Sequence, residues 1–268
     1  MDSDLTALCT EVFGIRGFAW TVGAASASGQ VAVLQAIDAV ACGRVDACIA
    51  LGALMDLSCW ELQALRNLGA MGSERHVATP QHACRPFDAA RDGFIFGEAC
   101  AAVVVERAGV QRPGLQPYAR CAGGAIVMDG NRNPNPSLDG EVAAIDQALQ
   151  QAGWQAADVD YVNPHGTASQ VGDETELEAL RRCGLEGARI NATKSITGHG
   201  LTAAGAVEVV ATMLQMRAAR LHPTLNLETP MAPDRPWVRG AAEAVVVRRA
   251  LTLSIGFGGV NSALCLQC

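Results

Sequence analysis

Lysine is nearly absent from this sequence. Lys194 is the only lysine among the twenty basic residues of the 268-residue chain, so a generic surface charge here is written as arginine. A lone ammonium therefore marks a position that needs a compact point charge rather than a planar fork. Positive charge is also short overall. The formal net charge of −7 excludes a broad nucleic-acid or anionic-membrane surface, since both need clustered cations, and leaves room only for a local basic patch. Long apolar runs are missing too: no stretch of about 18 apolar residues occurs. The opening Met1-Asp2-Ser3-Asp4 lacks the basic-then-apolar order of a secretion signal, so the expected location is the cytoplasm, with no membrane partner.

Ten cysteines are present, but without framework spacing. Cys42, Cys48, Cys100 and Cys121 lie in apolar segments and are expected to be small buried residues with reduced thiols. Cys265 and Cys268 make a lone C-x-x-C with no second pair and no nearby histidine, so no metal site is expected.

Half of the residues are apolar and only 4% are aromatic, while Gly and Ala recur inside the apolar segments. That mixture suits closely packed helices and buried strands, in one large domain or two fused halves. Periodicity predicts a strand over 18–23, a helix over 28–42, a strand over 47–51, a helix over 57–68, a polar connection over 85–92 and extended chain over 94–105. A Pro- and Gly-bearing linker over 111–116 opens a second half, with a strand over 118–128, a helix over 141–152 and a strand over 161–163. The helices beginning after Ser26 and at Leu201 are apolar on nearly every side. Such helices must be covered all round, as between two sheets. The tail reads as strands over 244–247 and 251–255, a turn over 256–259 and a returning strand over 262–266.

Four segments carry chemistry. In Ala24-Ala25-Ser26-Ala27-Ser28-Gly29 a hydroxyl sits between a predicted strand and a helix start, where small neighbours admit a substrate and the Ser26 N–H faces a developing oxyanion; the alternative is a helix cap. His165 follows a buried-looking strand in Asn163-Pro164-His165-Gly166-Thr167, and Asp173 and Glu176 at the next helix start are assigned a structural role. Thr193-Lys194-Ser195-Ile196-Thr197-Gly198-His199-Gly200 places an amine and an imidazole in one glycine-flanked loop. Gly256-Phe257-Gly258-Gly259 offers unusual backbone angles and a second oxyanion donor at the Phe257 N–H.

Taken in order, these segments resemble the beta-ketoacyl synthase family of the thiolase superfamily, with its nucleophile elbow and its H-G-T, K-S-x-x-G-H and G-F-G-G motifs. The resemblance runs from about Gly14 to Leu266 and includes Arg85-Pro86-Phe87-Asp88 and Arg91-Asp92-Gly93-Phe94. It implies an α/β fold of five layers, αβαβα, with an incomplete N-terminal half over 1–110 carrying Ser26 and a second half over 111–268 carrying His165, Lys194, His199 and the glycine turn. It further implies that His165 and His199 promote decarboxylation of a malonyl thioester on the phosphopantetheine arm of an acyl carrier protein, without another cofactor. Lys194 would support them, and Phe257 would be the gatekeeper beside the oxyanion hole.

Ser26 stands where the family has its cysteine nucleophile. A thiol near pKa 8.5 needs only a modest shift to become a thiolate, whereas an alcohol needs a well-placed base. Decarboxylation needs no protein nucleophile. The sequence is similar in this replacement to the malonyl carrier-protein decarboxylases of polyketide beta-branching cassettes, so the expectation is an enzyme converting malonyl to acetyl carrier protein. Two alternatives stand beside it: a non-catalytic partner subunit resembling a chain-length factor, and an acyltransferase using Ser26. The shortened first half leaves a bare sheet edge, and a homodimer or a heterodimer with a ketosynthase-like subunit is expected through it.

Overall fold

The computed structural model describes residues 4–110 and 113–268. Met1, Asp2 and Ser3 of the opening segment, and the first two residues of the expected linker, lie outside the described residues.

The order of elements is α1 (Asp4–Phe13), α2 (Ser28–Ala41), β1 (Ala47–Gly52), α3 (Cys59–Asn67), β2 (Ala101–Glu106), β3 (Arg120–Met128), α4 (Leu138–Ala152), β4 (Tyr161–Asn163), α5 (Gln170–Arg182), β5 (Arg189–Ile190), α6 (Lys194–Thr197), α7 (Ala204–Ala218), β6 (Arg220–Leu221), β7 (Glu243–Ala244), β8 (Arg249–Gly256) and β9 (Val260–Gln267). A five-stranded mixed sheet in the order β3-β9-β8-β4-β5 forms the centre. Its β8–β9 hairpin and the β3–β9 pair are antiparallel, while β4 runs parallel to β5 and β8. Helices α4 and α5 pack on one side of this sheet, and α2 and α7 pack on the other, beneath the antiparallel β1–β2 pair.

The two central helices meet backbone to backbone. A Cβ on Gly29 of α2 would sit 2.6 Å from the Ala206 amide nitrogen, and one on Gly205 of α7 would sit 2.7 Å from that of Gln30. Only glycine permits this approach, and it brings the start of each helix to the same point. Gly29→Val is therefore expected to cost about 1–3 kcal/mol by overpacking, read as a lower urea midpoint at unchanged slope. The all-round burial expected of α7 holds along its first turns, and the helix opens to solvent at Leu214.

Three expectations need correction. Residues 18–23 form no strand; Phe18 and Trp20 instead stack at 4.3 Å with the Arg44 guanidinium over both rings. Extended chain is retained as a strand only beside another strand, and β1 pairs with β2 alone among the described residues. Cys42 and Cys100 are exposed and Cys48 and Cys121 half-buried, leaving Cys265 as the one buried cysteine among the described residues. The β1–β2 pair is covered on one face, so Ile49 and Val104 on these strands also face outward. At the tail, strand structure begins at Glu243 and ends at Ala244, with β8 starting at Arg249.

The connection over 85–92 has polar composition but lies inside the protein: Arg85, Asp88 and Arg91 are all buried. Asp88 accepts from the Ala90, Glu228 and Thr229 amides and from Arg85. Arg91 reaches the Ser169 and Gln170 carbonyls and the Glu174 carboxylate. These bonds seat the loop against α5, where it supports the site from behind. No described helix is long and apolar enough to cross a membrane.

Candidate active site

The turn before α2 presents Ser26. Ala25 is held at φ +46°, a left-handed angle that costs an alanine about 1–2 kcal/mol and reverses the chain so that the next side chain points out of the turn. Ser28 clamps this reversal, accepting from the Ala24 N–H at 2.9 Å and donating to the Ala25 carbonyl at 2.7 Å. The two serines thus divide the readings open from the sequence: Ser28 holds the turn, and Ser26 is free to face a cavity. The glycine turn abuts the same point, because a Cβ on Gly256 would lie 2.2 Å from the Ala24 carbonyl oxygen.

His199 meets Ser26, with Nε2 and Oγ 3.0 Å apart. Its ring stands edge-on to Phe94 at 5.1 Å and to His165 at 5.4 Å between centroids. His165 leaves the end of β4, where the parallel strands bury its backbone and direct the loop toward α2. Both oxygens of Glu176 grip that loop, accepting from the His165 N–H at 2.5 Å and the Gly166 N–H at 2.8 Å. Asp173 does the same for Phe87 and Ala168. Burial pushes the Glu176 carboxyl up to about 8 and the Asp173 carboxyl up to about 6, against the pull of those amides.

Lys194 lies behind the histidines, buried at 1% exposure. Its ammonium donates to Glu208 Oε1 at 2.6 Å and to the His165 carbonyl at 2.5 Å, and it lies 3.3 Å from His165 Nδ1. Burial pushes Glu208 up to about 7, while the ammonium draws it back toward the charged form. An ammonium can only donate, so Nδ1 of His165 accepts and the ring proton resides on Nε2. Burial, and then the Lys194 charge, hold both imidazoles well below the usual histidine range; the neighbouring ring acts in the same direction on His165. His199 Nδ1 is buried without a partner. Placing the neutral ring's proton on Nε2 avoids an orphaned N–H there. Two neutral imidazoles then offer N–H donors beside Ser26, in a site that needs no charged histidine.

Ser26, His165, His199 and Phe257 line one cavity of about 910 Å³, whose far wall includes Leu65 of α3 and Glu141 of α4. The structure thus brings together four of the five residues singled out in the sequence, with Lys194 one layer behind. Sequence reading missed Glu208 and Glu141. Glu208 carried a signal, as the single acidic residue within the otherwise uncharged first turns of α7. No cluster of three or more His, Cys, Asp or Glu side chains with metal-binding geometry occurs among the described residues.

Two family models match the chain: the beta-ketoacyl synthase N-terminal domain over residues 1–110 and the C-terminal domain over residues 118–228. The polyketide biosynthesis malonyl-ACP decarboxylase PksF of Bacillus subtilis (strain 168) is 56% identical across 268 residues, all of this chain and 65% of that protein. The crystal structure of a beta-ketoacyl synthase from Burkholderia phymatum STM815 superposes with a TM-score of 0.89 at 31% identity, over 96% of this chain and 63% of that one. A type II polyketide synthase acyl-carrier protein in complex with its ketosynthase bound to a hexaketide gives 0.91 at 29% identity, over 100% and 67%. The chain thus spans just under two thirds of the length of the curated relative.

Proposed function

Because the chain belongs to the beta-ketoacyl synthase family, we propose that it removes carbon dioxide from a malonyl group carried on an acyl carrier protein, leaving acetyl carrier protein, in polyketide biosynthesis. The observation that carries this reading is the pair of neutral imidazoles facing a hydroxyl where the family has a thiol. The name of the Bacillus relative points the same way.

In the reaction the bond between the α-carbon and the carboxylate breaks. Its electron pair moves into the thioester as an enolate, carbon dioxide leaves, and the α-carbon takes up a proton from water. The only charge that must be stabilised is the enolate oxygen, which takes the N–H donors of His165 and His199, with the thioester oxygen displacing Ser26 Oγ from His199. Lys194 keeps the His165 proton on Nε2. Ser26 shapes the pocket, and the backbone N–H groups of Ser26 and Phe257 are the candidate pair for a second oxyanion site, with Phe257 at the gate. No cofactor is required beyond the phosphopantetheine arm of the carrier. The carrier protein is the proposed partner, with a second copy or a ketosynthase-like subunit beside it, in the cytoplasm.

Incubating the purified chain with malonyl carrier protein and following the carrier's mass tests this directly. Loss of carbon dioxide is expected; an unchanged carrier mass overturns the reading. The 3.0 Å approach of Ser26 to His199 favours one rival, acyl transfer through Ser26. Ser26→Ala is expected to keep most of the decarboxylation, and a dead Ser26→Ala with a trapped acyl-serine would support the rival.

Acid should separate chemistry from stability. Both histidines are neutral in the fold, so kcat is expected to stay level as pH falls through about 6.5, where an ordinary histidine titrates. The unfolded chain takes up those protons first. Below about 6.5 the unfolded state binds more protons than the native one, so the histidine contribution lowers stability as pH falls, a trend that thermal melts over the acid range measure.

A further inference from the structure

Four buried carboxyl groups and the half-buried Asp129 surround the histidines or line their cavity. Asp173 and Glu176 spend both oxygens on backbone N–H groups. Glu208 spends one on Lys194, and Asp129 binds the Asn131 amide and the Asn261 side chain. Glu141 is different: it is 3% exposed, and neither of its oxygens has a partner. Leaving a buried carboxyl unbonded is unfavourable, and the protein supplies it no hydrogen bond.

Its position shows where a partner would come from. Glu141 sits in the first turn of α4, behind the Ser137 cap, and forms part of the wall of the large cavity. Behind it lies a void of only about 10 Å³, walled by Ala144, Ile145, Leu253, Ile255, Asn261 and Ser262, at or below the space one water needs. The ionisable groups facing Glu141 are all acidic: Asp129 after β3, and Asp173 and Glu176 on α5. The β8 and β9 residues packed there, Ile255 and Asn261, carry no charge. Burial first, then these acidic neighbours, hold the Glu141 carboxyl well above the usual range, which favours the protonated form with an O–H to donate.

We propose that Glu141 is a positioning residue of this site, whose carboxylic acid donates a hydrogen bond to an amide carbonyl in the arm of the carrier-bound substrate. This rests on the reading that the cavity accepts a carrier-bound thioester. Such an arm is long, neutral along most of its length and interrupted by amides, so a neutral donor in the wall sets its depth without a charge having to be desolvated. The role is in binding and registry rather than in breaking the carbon–carbon bond.

The test uses the intact chain. Infrared difference spectra between wild type and Glu141→Gln at neutral pH are expected to show a protonated-carboxyl carbonyl band from Glu141, which shifts when pantetheine, the amide arm without an acyl group, is added. Glu141→Leu is expected to raise KM for malonyl carrier protein about tenfold at unchanged kcat, with Glu141→Gln, which keeps a neutral donor, within about threefold of wild type. Raising the pH should raise the wild-type KM as Glu141 ionises and leave the Gln variant level, a dependence that a purely structural residue would not produce. An absent band, a band that pantetheine leaves in place, or one that moves only with a malonyl-bearing thioester overturns the proposal. The infrared measurement needs no turnover, so a chain that shifts the band but releases no carbon dioxide loses the proposed reaction and keeps the Glu141 site.

Discussion

His199→Ala and His165→Ala are each expected to slow carbon dioxide release from malonyl carrier protein by about 10²–10³-fold, the usual cost of removing one preorganised donor from a developing oxyanion. The two rings stand 5.4 Å apart at right angles, close enough to act on one oxygen, so the double variant should be little slower than the worse single one. The same variants separate the competing chemistries. If the enolate oxygen is what the rings bind, kcat falls while KM for the carrier substrate stays near wild type. Were His199 instead a base for Ser26, Ser26→Ala would match His199→Ala in its loss. Mass spectrometry of the carrier at fixed times supplies both rates, and equal activity in all variants would remove the histidines from the mechanism.

The second large effect concerns folding. Lys194→Met leaves Glu208 buried at 2% side-chain exposure with no cation beside it, and is expected to destabilise the protein by about 3–5 kcal/mol, the cost of breaking a buried ion pair from one side. The paired replacement Lys194→Met with Glu208→Leu should recover most of that, because a buried pair exchanged for apolar side chains is often neutral in stability. Activity should not recover with it. Without the ammonium donating toward Nδ1, the His165 ring is free to place its proton on the wrong nitrogen, and the donor facing the enolate is lost. Denaturant midpoints and carbon dioxide release measured on the same three proteins therefore dissociate: stability returns in the double variant and catalysis does not. Parallel recovery of both would reduce Lys194 to a packing residue.

Much of this site is legible in the sequence. Ser26, His165, Lys194, His199 and Phe257 stand out because each sits in a short segment of small or turn-forming residues beside an apolar element, and because the single lysine of an arginine-rich chain needs a special reason. The supporting acids were harder to see. Glu208 is one carboxylate in a helix whose burial could be expected from its apolar surroundings, but its partner Lys194 lies on the short α6, across a contact that no periodicity encodes. Glu141 follows an aspartate and a glycine at a helix start and looks like an ordinary dipole-complementing acid; only the depth of the cavity wall makes it an orphan. The strand expected over 18–23 failed for a related reason, since extended chain becomes sheet only where a neighbouring strand supplies its hydrogen bonds.

By itself the sequence determined the alternation of strands and helices, the two helices that must be covered on most sides, the β8–β9 hairpin and the residue types of the proposed site, all of which depend on local pattern. Only the tertiary structure decided which serine clamps the turn and which faces the cavity, which nitrogen of His165 keeps its proton, and which buried carboxylate is left without a partner. Those questions turn on distances of about 3 Å between groups far apart in the chain, and on how much water remains around them, and neither quantity is written in the order of residues.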